Sequence, residues 1–168
     1  MIVAALSEGM TGNLFGNDVL FWGLVSCLTA QLFKVFVELV VLGRWNPAVL
    51  FESGGMPSSH SALVTGSSAC IGWSCGFDSP LFAAVAMFSF IVMYDASGIR
   101  RNAGLIAERV NSLPADLWPE KDAPASPLKE RLGHSRLEVL IGSLVGPLVA
   151  LPGLVYLGSP VEIIARFN

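Results

Sequence analysis

Apolar residues in this chain gather into four runs, at about 19–42, 61–77, 81–94 and 137–157, separated by polar breaks. The runs are near-continuous rather than alternating, and stretches approaching ~20 such residues read as membrane-spanning helices. Spans are therefore expected at about 19–42, 57–77, 80–95 and 137–157. Asp18 is placed to cap the first. The second gains a turn if its helix starts at Pro57, since proline suits a first helical turn. Its Gly66, Ser67, Ser68, Ala69 and Gly72 are the small residues that let membrane helices approach closely. Phe77-Asp78-Ser79-Pro80 makes a tight turn into the third span, and Gly142, Gly146, Pro147, Pro152 and Gly153 predict a kink in the fourth.

The remaining segments differ in character. Residues 102–113 predict an amphipathic helix, with Ile106, Val110 and Leu113 on one face and Glu108 and Arg109 off it. Pro114, Pro119, Pro124 and Pro127 mark 112–136 as a polar loop. The fold expected is all-α: one membrane domain over 1–168, with about four transmembrane helices and a short amphipathic interfacial helix.

Composition agrees with that fold. The chain is 53% hydrophobic and 14% charged, well below the roughly 25% charged of soluble domains. A net charge of −3 gives no reason to expect nucleic acid. Cys27, Cys70 and Cys75 lie in apolar runs without metal-ligand or disulfide spacing. Residues 1–17 carry no Lys or Arg, unlike a secretory signal or an Arg-rich transit peptide.

Counting spans puts the loop before residue 61 and the stretch 95–136 on the same membrane side, with both termini opposite. Eight of the ten basic residues fall on that shared side: Arg44, Arg100, Arg101, Arg109, Lys121, Lys129, Arg131 and Arg136. The positive-inside tendency turns this side to the cytoplasm, or to the stroma in a plastid membrane.

The candidate chemistry lies on the same side. Gly54-Gly55-Met56-Pro57-Ser58-Ser59-His60-Ser61 joins glycines, hydroxyls and the N–H groups of a helix start, a donor-rich setting for an anion. His60 and His134 are the only histidines, and histidine is the side chain whose ordinary pKa lies near neutrality. Glu138 follows His134 by four positions, so its carboxylate can hold one imidazole nitrogen and orient the other. A histidine so held is a nucleophile or base, and the second is a general acid. Arg and Lys supply charge-assisted contacts to phosphate oxygens. Lys34 and Glu38 lie one turn apart inside the first span, where charge marks a functional site or a mutually neutralising pair. Two histidines and two carboxylates also suit a metal, but the basic surroundings disfavour a cation, so neither metal nor cofactor is expected.

Three stretches, Gly54 to Ala62, Val92 to Gly104 and Leu128 to His134, closely resemble the divergent phosphatidic acid phosphatase family. This family is also described as acid phosphatase/vanadium-dependent haloperoxidase-related, and it occurs in bacterial and plastid membranes. The resemblance covers about 18–158. It implies that Pro57-Ser58-Ser59-His60 stands for the superfamily's Pro-Ser-Gly-His motif, giving phosphate contacts and the acid histidine. It likewise implies that His134 is the nucleophile, with Glu138 in place of the usual Asp. Lys34 and Arg44 are similar to the first motif, at longer spacing and without the adjacent proline. The arginine six positions before the nucleophile is replaced by Leu128, and Arg100, Arg101, Lys129 or Arg131 stand as substitutes.

The expected function is hydrolysis of a lipid or prenyl phosphate through a phosphohistidine. The catalytic set is His134, His60 and Glu138, and the substrate-binding set is Lys34, Arg44, Ser58, Ser59, Asp95, Arg100, Arg101, Lys129 and Arg131. Asp95 ends an apolar span beside two arginines and is expected to hold one of them for phosphate. The alternative is a non-catalytic subunit or scaffold of a larger, for instance photosynthetic, membrane complex. Transport of an anionic lipid is a third reading, for which four spans are few. Membrane lipid is the expected partner, and a homodimer or larger membrane complex fits the same reading.

Overall fold

The computed structural model describes residues 16–41, 43, 45–51, 54–114 and 127–166. Arg44, Lys121 and much of the polar loop lie outside the described residues. Among the described residues the chain is all helical, without strands.

Helix α1 spans Asp18–Val41 and is followed by a 3-10 turn at Pro47–Phe51. Helix α2 spans Ser59–Cys75 and α3 spans Pro80–Ser97. Helix α4, Ile99–Asn111, follows α3 after Gly98. Helix α5, Arg136–Pro152, runs into a π turn at Gly153–Leu157, and a short α6 covers Pro160–Ala165. Three stretches are long and apolar enough to cross a membrane: Asp18–Val41, Pro80–Asn111 and Arg136–Leu157. Helix α2, at 17 residues, is one residue shorter than α3. It packs against α1, α3 and α5, so its neighbours rather than lipid surround it.

Several helix boundaries depart from the sequence expectation, each for a local reason. Asn17 caps α1 in place of Asp18: its carbonyl accepts from Phe21 N–H at 3.0 Å and its side chain from Leu20 N–H at 2.9 Å. Pro57 does not open α2. Ser58, with extended φ/ψ of −69°/114°, is the cap, its Oγ accepting from Ser61 N–H, and proline sits before it. The amphipathic helix starts at Ile99 rather than 102, because Gly98 breaks α3 and the next residue re-enters helix at once. The fourth span continues through Pro147 to Pro152 before loosening into the π turn.

Helix α2 is central because it is made of small residues. Its buried positions are Ser59, Ser61, Ala62, Gly66, Ser68, Ala69, Cys70 and Gly72. Lipid gives apolar helices no hydrophobic reason to associate, so close van der Waals contact and interhelical hydrogen bonds hold the bundle together. A Cβ on Gly146 of α5 would strike Ala62 C=O and the Thr65 hydroxyl, and one on Gly142 would strike Ser58 C=O. Ser26 of α1 donates to Trp22 C=O at 2.8 Å and lies 3.1 Å from Gly146 C=O, joining α1 to α5 beside Gly66. Ser68 and Ser89 are hydrogen-bonded at 2.8 Å between α2 and α3. At the far end Trp22 packs on Cys70 and Ala150 and donates Nε1–H to Gly158 C=O at 2.9 Å.

Backbone on backbone leaves no room to relax at Gly146. Gly146→Ala is expected to lower stability in detergent by about 1–3 kcal/mol, the scale of overpacking. Leu144→Ala, on the exposed face of the same helix, should leave the thermal midpoint near wild type. Unchanged midpoints for both variants would contradict the close α2–α5 contact.

Candidate active site

Four segments converge at the end of the bundle where α2 and α5 begin. His134 stands in extended chain just before α5, and its backbone N–H donates to Ala96 C=O of α3 at 2.9 Å. Ser58 N–H donates to Glu138 C=O at 3.0 Å, tying the start of α2 to the first turn of α5. His60 is the second residue of α2. The two imidazole rings lie 6.1 Å apart, edge to face.

His134 is buried, and its Nδ1 lies 3.1 Å from Glu138 Oε2. An ionised carboxylate only accepts hydrogen bonds, so this contact assigns a proton to Nδ1, and in the neutral ring Nε2 then carries the lone pair. Among the described residues Nε2 is buried and has no hydrogen-bond partner. Glu138 is itself fixed: Oε2 also accepts from Ser135 N–H, while Ser135 Oγ accepts from Glu138 N–H, each at 3.2 Å. This reciprocal pair is a capping box, so one carboxylate both starts α5 and orients His134.

His134 lies between two cavities. One, about 220 Å³, is lined by His60, Asp95, Arg100 and His134 together with apolar Ile91 and Val92. The other, about 340 Å³, is more polar, and Glu38, Arg101, Glu130, Arg131 and Glu138 contribute to its wall. Asp95 Oδ2 accepts from Arg100 Nε at 2.8 Å. Residues five apart on one continuous helix point about 140° away from each other. The break at Gly98, φ −107° and ψ −83°, is what lets these two side chains meet. Lys34, 1% exposed, lies beneath the site close to Gly55, and it acts electrostatically on His60 together with Arg100, His134 and Asp95.

The structure thus brings His60, His134, Glu138, Asp95 and Arg100 to one place, with Arg101 and Arg131 at the adjoining cavity. Ser58 and Ser59 line neither cavity. They are buried, Ser58 Oγ being used by Ser61 N–H and lying 3.0 Å from Ser61 Oγ. Lys129 is exposed and lines neither cavity. Among the described residues no three His, Cys, Asp or Glu side chains gather closely enough to hold a metal ion.

The support beneath His134 was not foreseen. Asn111, ending α4, grips the incoming strand of chain: Nδ2 donates to Leu128 C=O at 2.9 Å and to Glu130 Oε1 at 2.8 Å, and Oδ1 accepts from Leu128 N–H at 2.9 Å. Gly104 lets that segment lie directly on α4, because a Cβ would meet Glu130 C=O. Gly133 turns it toward α5 at φ +72°, a conformation glycine adopts without strain, against Arg101 N–H. Asn111, Gly104 and Gly133 carried no sequence signal for this role, whereas Ser135-x-x-Glu138 beside them has the capping-box spacing.

A profile of the Divergent PAP2 family matches residues 15–149. The chain belongs to that family. It is 39% identical over 150 residues to the uncharacterized membrane protein YuiD of Bacillus subtilis (strain 168), covering 83% of this chain and 95% of the relative. No solved structure gives a significant match. The chain is accordingly a membrane protein of the Divergent PAP2 family.

Asn111→Ala removes three hydrogen bonds from the segment that delivers His134. Amide exchange at 128–132 is expected to quicken by roughly tenfold, the scale of one net hydrogen bond, with α2 and α5 still protected. Equal exchange in both proteins would show that Asn111 does not hold the segment.

Proposed function

We propose that this protein is a membrane phosphatase that cleaves a lipid or prenyl phosphate through a phosphohistidine on His134. The observation that carries this reading is the buried His134–Glu138 pair, whose unpartnered Nε2 lies beside a cavity shared with His60 and Arg100. Nε2 attacks phosphorus as the P–O bond to the lipid breaks, and His60 gives its proton to the leaving oxygen. Neutral His60 then takes a proton from water as that water attacks the phosphohistidine, which releases inorganic phosphate and restores both imidazoles. Glu138 keeps the Nδ1 proton in place and stabilises the charge that develops on the ring. Arg100, engaged through Nε by Asp95, offers its terminal N–H groups to phosphate oxygens. The apolar wall of the smaller cavity, Ile91 and Val92, supports an amphiphilic substrate.

A second reading, phosphate-lipid binding without turnover in a larger complex, is favoured by one observation. Leu128 stands where the resemblance calls for an arginine, and its backbone serves as an anchor for Asn111.

Release of inorganic phosphate from a panel of lipid phosphates by purified protein separates the two. Turnover is expected, abolished in His134→Gln, reduced roughly 10²- to 10⁴-fold in His60→Gln and about 10- to 100-fold in Glu138→Gln. Absence of turnover with every lipid phosphate, alongside retained binding, would overturn the phosphatase reading in favour of the second. Activity that survives in His134→Gln would overturn the phosphohistidine.

Asp95→Asn keeps the shape and the acceptor oxygen while removing the charge that holds Arg100. Orthovanadate, a phosphate analogue, should bind this variant roughly tenfold more weakly, the loss of one charge-assisted hydrogen bond. Because the pair is substantially exposed, stability should change by less than about 1 kcal/mol. Unchanged vanadate affinity would leave Asp95 no part in positioning Arg100.

A further inference from the structure

A third concavity at the same end of the bundle is not needed for the proposed chemistry. It has a volume of about 760 Å³ and lies where α3 passes into α4 and α5 begins, lined by Tyr94, Ser97, Gly98, Arg101, Asn102 and Arg136. Two guanidinium groups, an amide, a hydroxyl and a phenol surround it, and no carboxylate is among the described residues of its wall. This contrasts with the cavity on the other side of Arg101, where Glu38, Glu130 and Glu138 offset the positive charge.

Its surroundings suit a bilayer lipid. Tyr94, 75% exposed, lies in the last turn of the apolar helix α3, the position at which tyrosines mark the boundary between hydrocarbon and head groups. Phe90 and Met87, one and two turns back along the same face of α3, are exposed as well. Leu140 and Leu144 extend an exposed apolar stripe along α5 from Arg136. Basic recesses between membrane helices at head-group level hold anionic lipids. A free anion would use the arginines but gain nothing from the two stripes.

We propose that this concavity binds the head group of an anionic bilayer phospholipid. Its phosphate lies between Arg101 and Arg136, and its chains lie along Tyr94–Phe90–Met87 and Leu140–Leu144. The site is separate from the histidine pair and does not depend on any hydrolysis there.

The test is native mass spectrometry of the full chain in neutral detergent, titrated with dioleoyl phosphatidylglycerol, with dioleoyl phosphatidylcholine in parallel. Phosphatidylglycerol should be retained at least fivefold better than phosphatidylcholine. Arg136→Gln should weaken its retention roughly fivefold, the scale of one basic residue at a membrane surface. Asn102→Asp, which brings negative charge into the recess from an exposed position, should weaken it too. Millimolar inorganic phosphate should not displace the lipid. Equal retention of the two lipids, or unchanged phosphatidylglycerol binding in both folded variants, would overturn the proposal. Displacement by phosphate would reassign the recess to a free anion. Loss of binding in His134→Gln but not in Arg136→Gln would place the bound lipid at the histidines.

Discussion

The contact on which the site depends is the near-touching approach of α2 and α5. Helix α2 carries His60 and the segment entering α5 carries His134, and the imidazoles meet at 6.1 Å only because the helix starts below them are in backbone contact. Gly142 lies against Ser58, and Gly146 against Ala62 and Gly66. A methyl at either glycine would prise the helices apart where the spacing between the rings is set. Hydrogen bonds fix the same junction, Ser58 N–H to Glu138 C=O and the Ser26 hydroxyl beside Gly146 C=O. In hydrocarbon no hydrophobic gain competes with such contacts, so small residues and satisfied polar groups decide the geometry.

His134 needs a second support, because it precedes α5 rather than belonging to it. Helix α4 provides that support: Asn111 holds the segment at Leu128, Gly104 lets it lie flat, and Gly133 redirects it. The backbone of Ala96 then takes the histidine's own N–H. The side chain is fixed from the opposite direction by Glu138, whose carboxylate also caps α5. Backbone and ring are therefore held by different helices, and displacing either would swing Nε2 away from the cavity.

Much of this was legible in the chain because apolar runs and charge spacing are local signals. The runs gave the helices to within a few residues, and the i,i+4 spacing anticipated the contact between Glu138 and His134. Boundaries failed where a side chain just outside the run took over the capping, as Asn17 and Ser58 do. The donor role expected of Ser58 and Ser59 depended on a helix beginning at Pro57. With Ser58 as the cap, both hydroxyls turn into the bundle. The grip of Asn111 on Leu128 joins residues 17 apart across a proline-rich loop, and no local pattern announces such a contact. Glu130, which lines the polar cavity, looked like an ordinary charged position for the same reason, whereas Glu38 stood out as a charge inside an apolar run.

The distribution of positive charge follows from one structural break. Consecutive residues on a helix diverge by about 100°, so Arg100 and Arg101 cannot both serve one small anion. Arg100 turns to the apolar cavity with His60 and is held there by Asp95 across the Gly98 break. Arg101 lines the polar cavity on one side and, with Arg136, the larger recess on the other. An arginine six positions before His134 would have carried its charge on the segment that bears the histidine. Here that segment holds Leu128, and positive charge reaches the apolar cavity from the start of α4 instead. Because Arg100 is held by a residue of α3, its reach into the cavity depends on the angle between α3 and α4. That angle is set at the Gly98 break, so whatever fixes α4 against α3 also places the guanidinium beside the histidines.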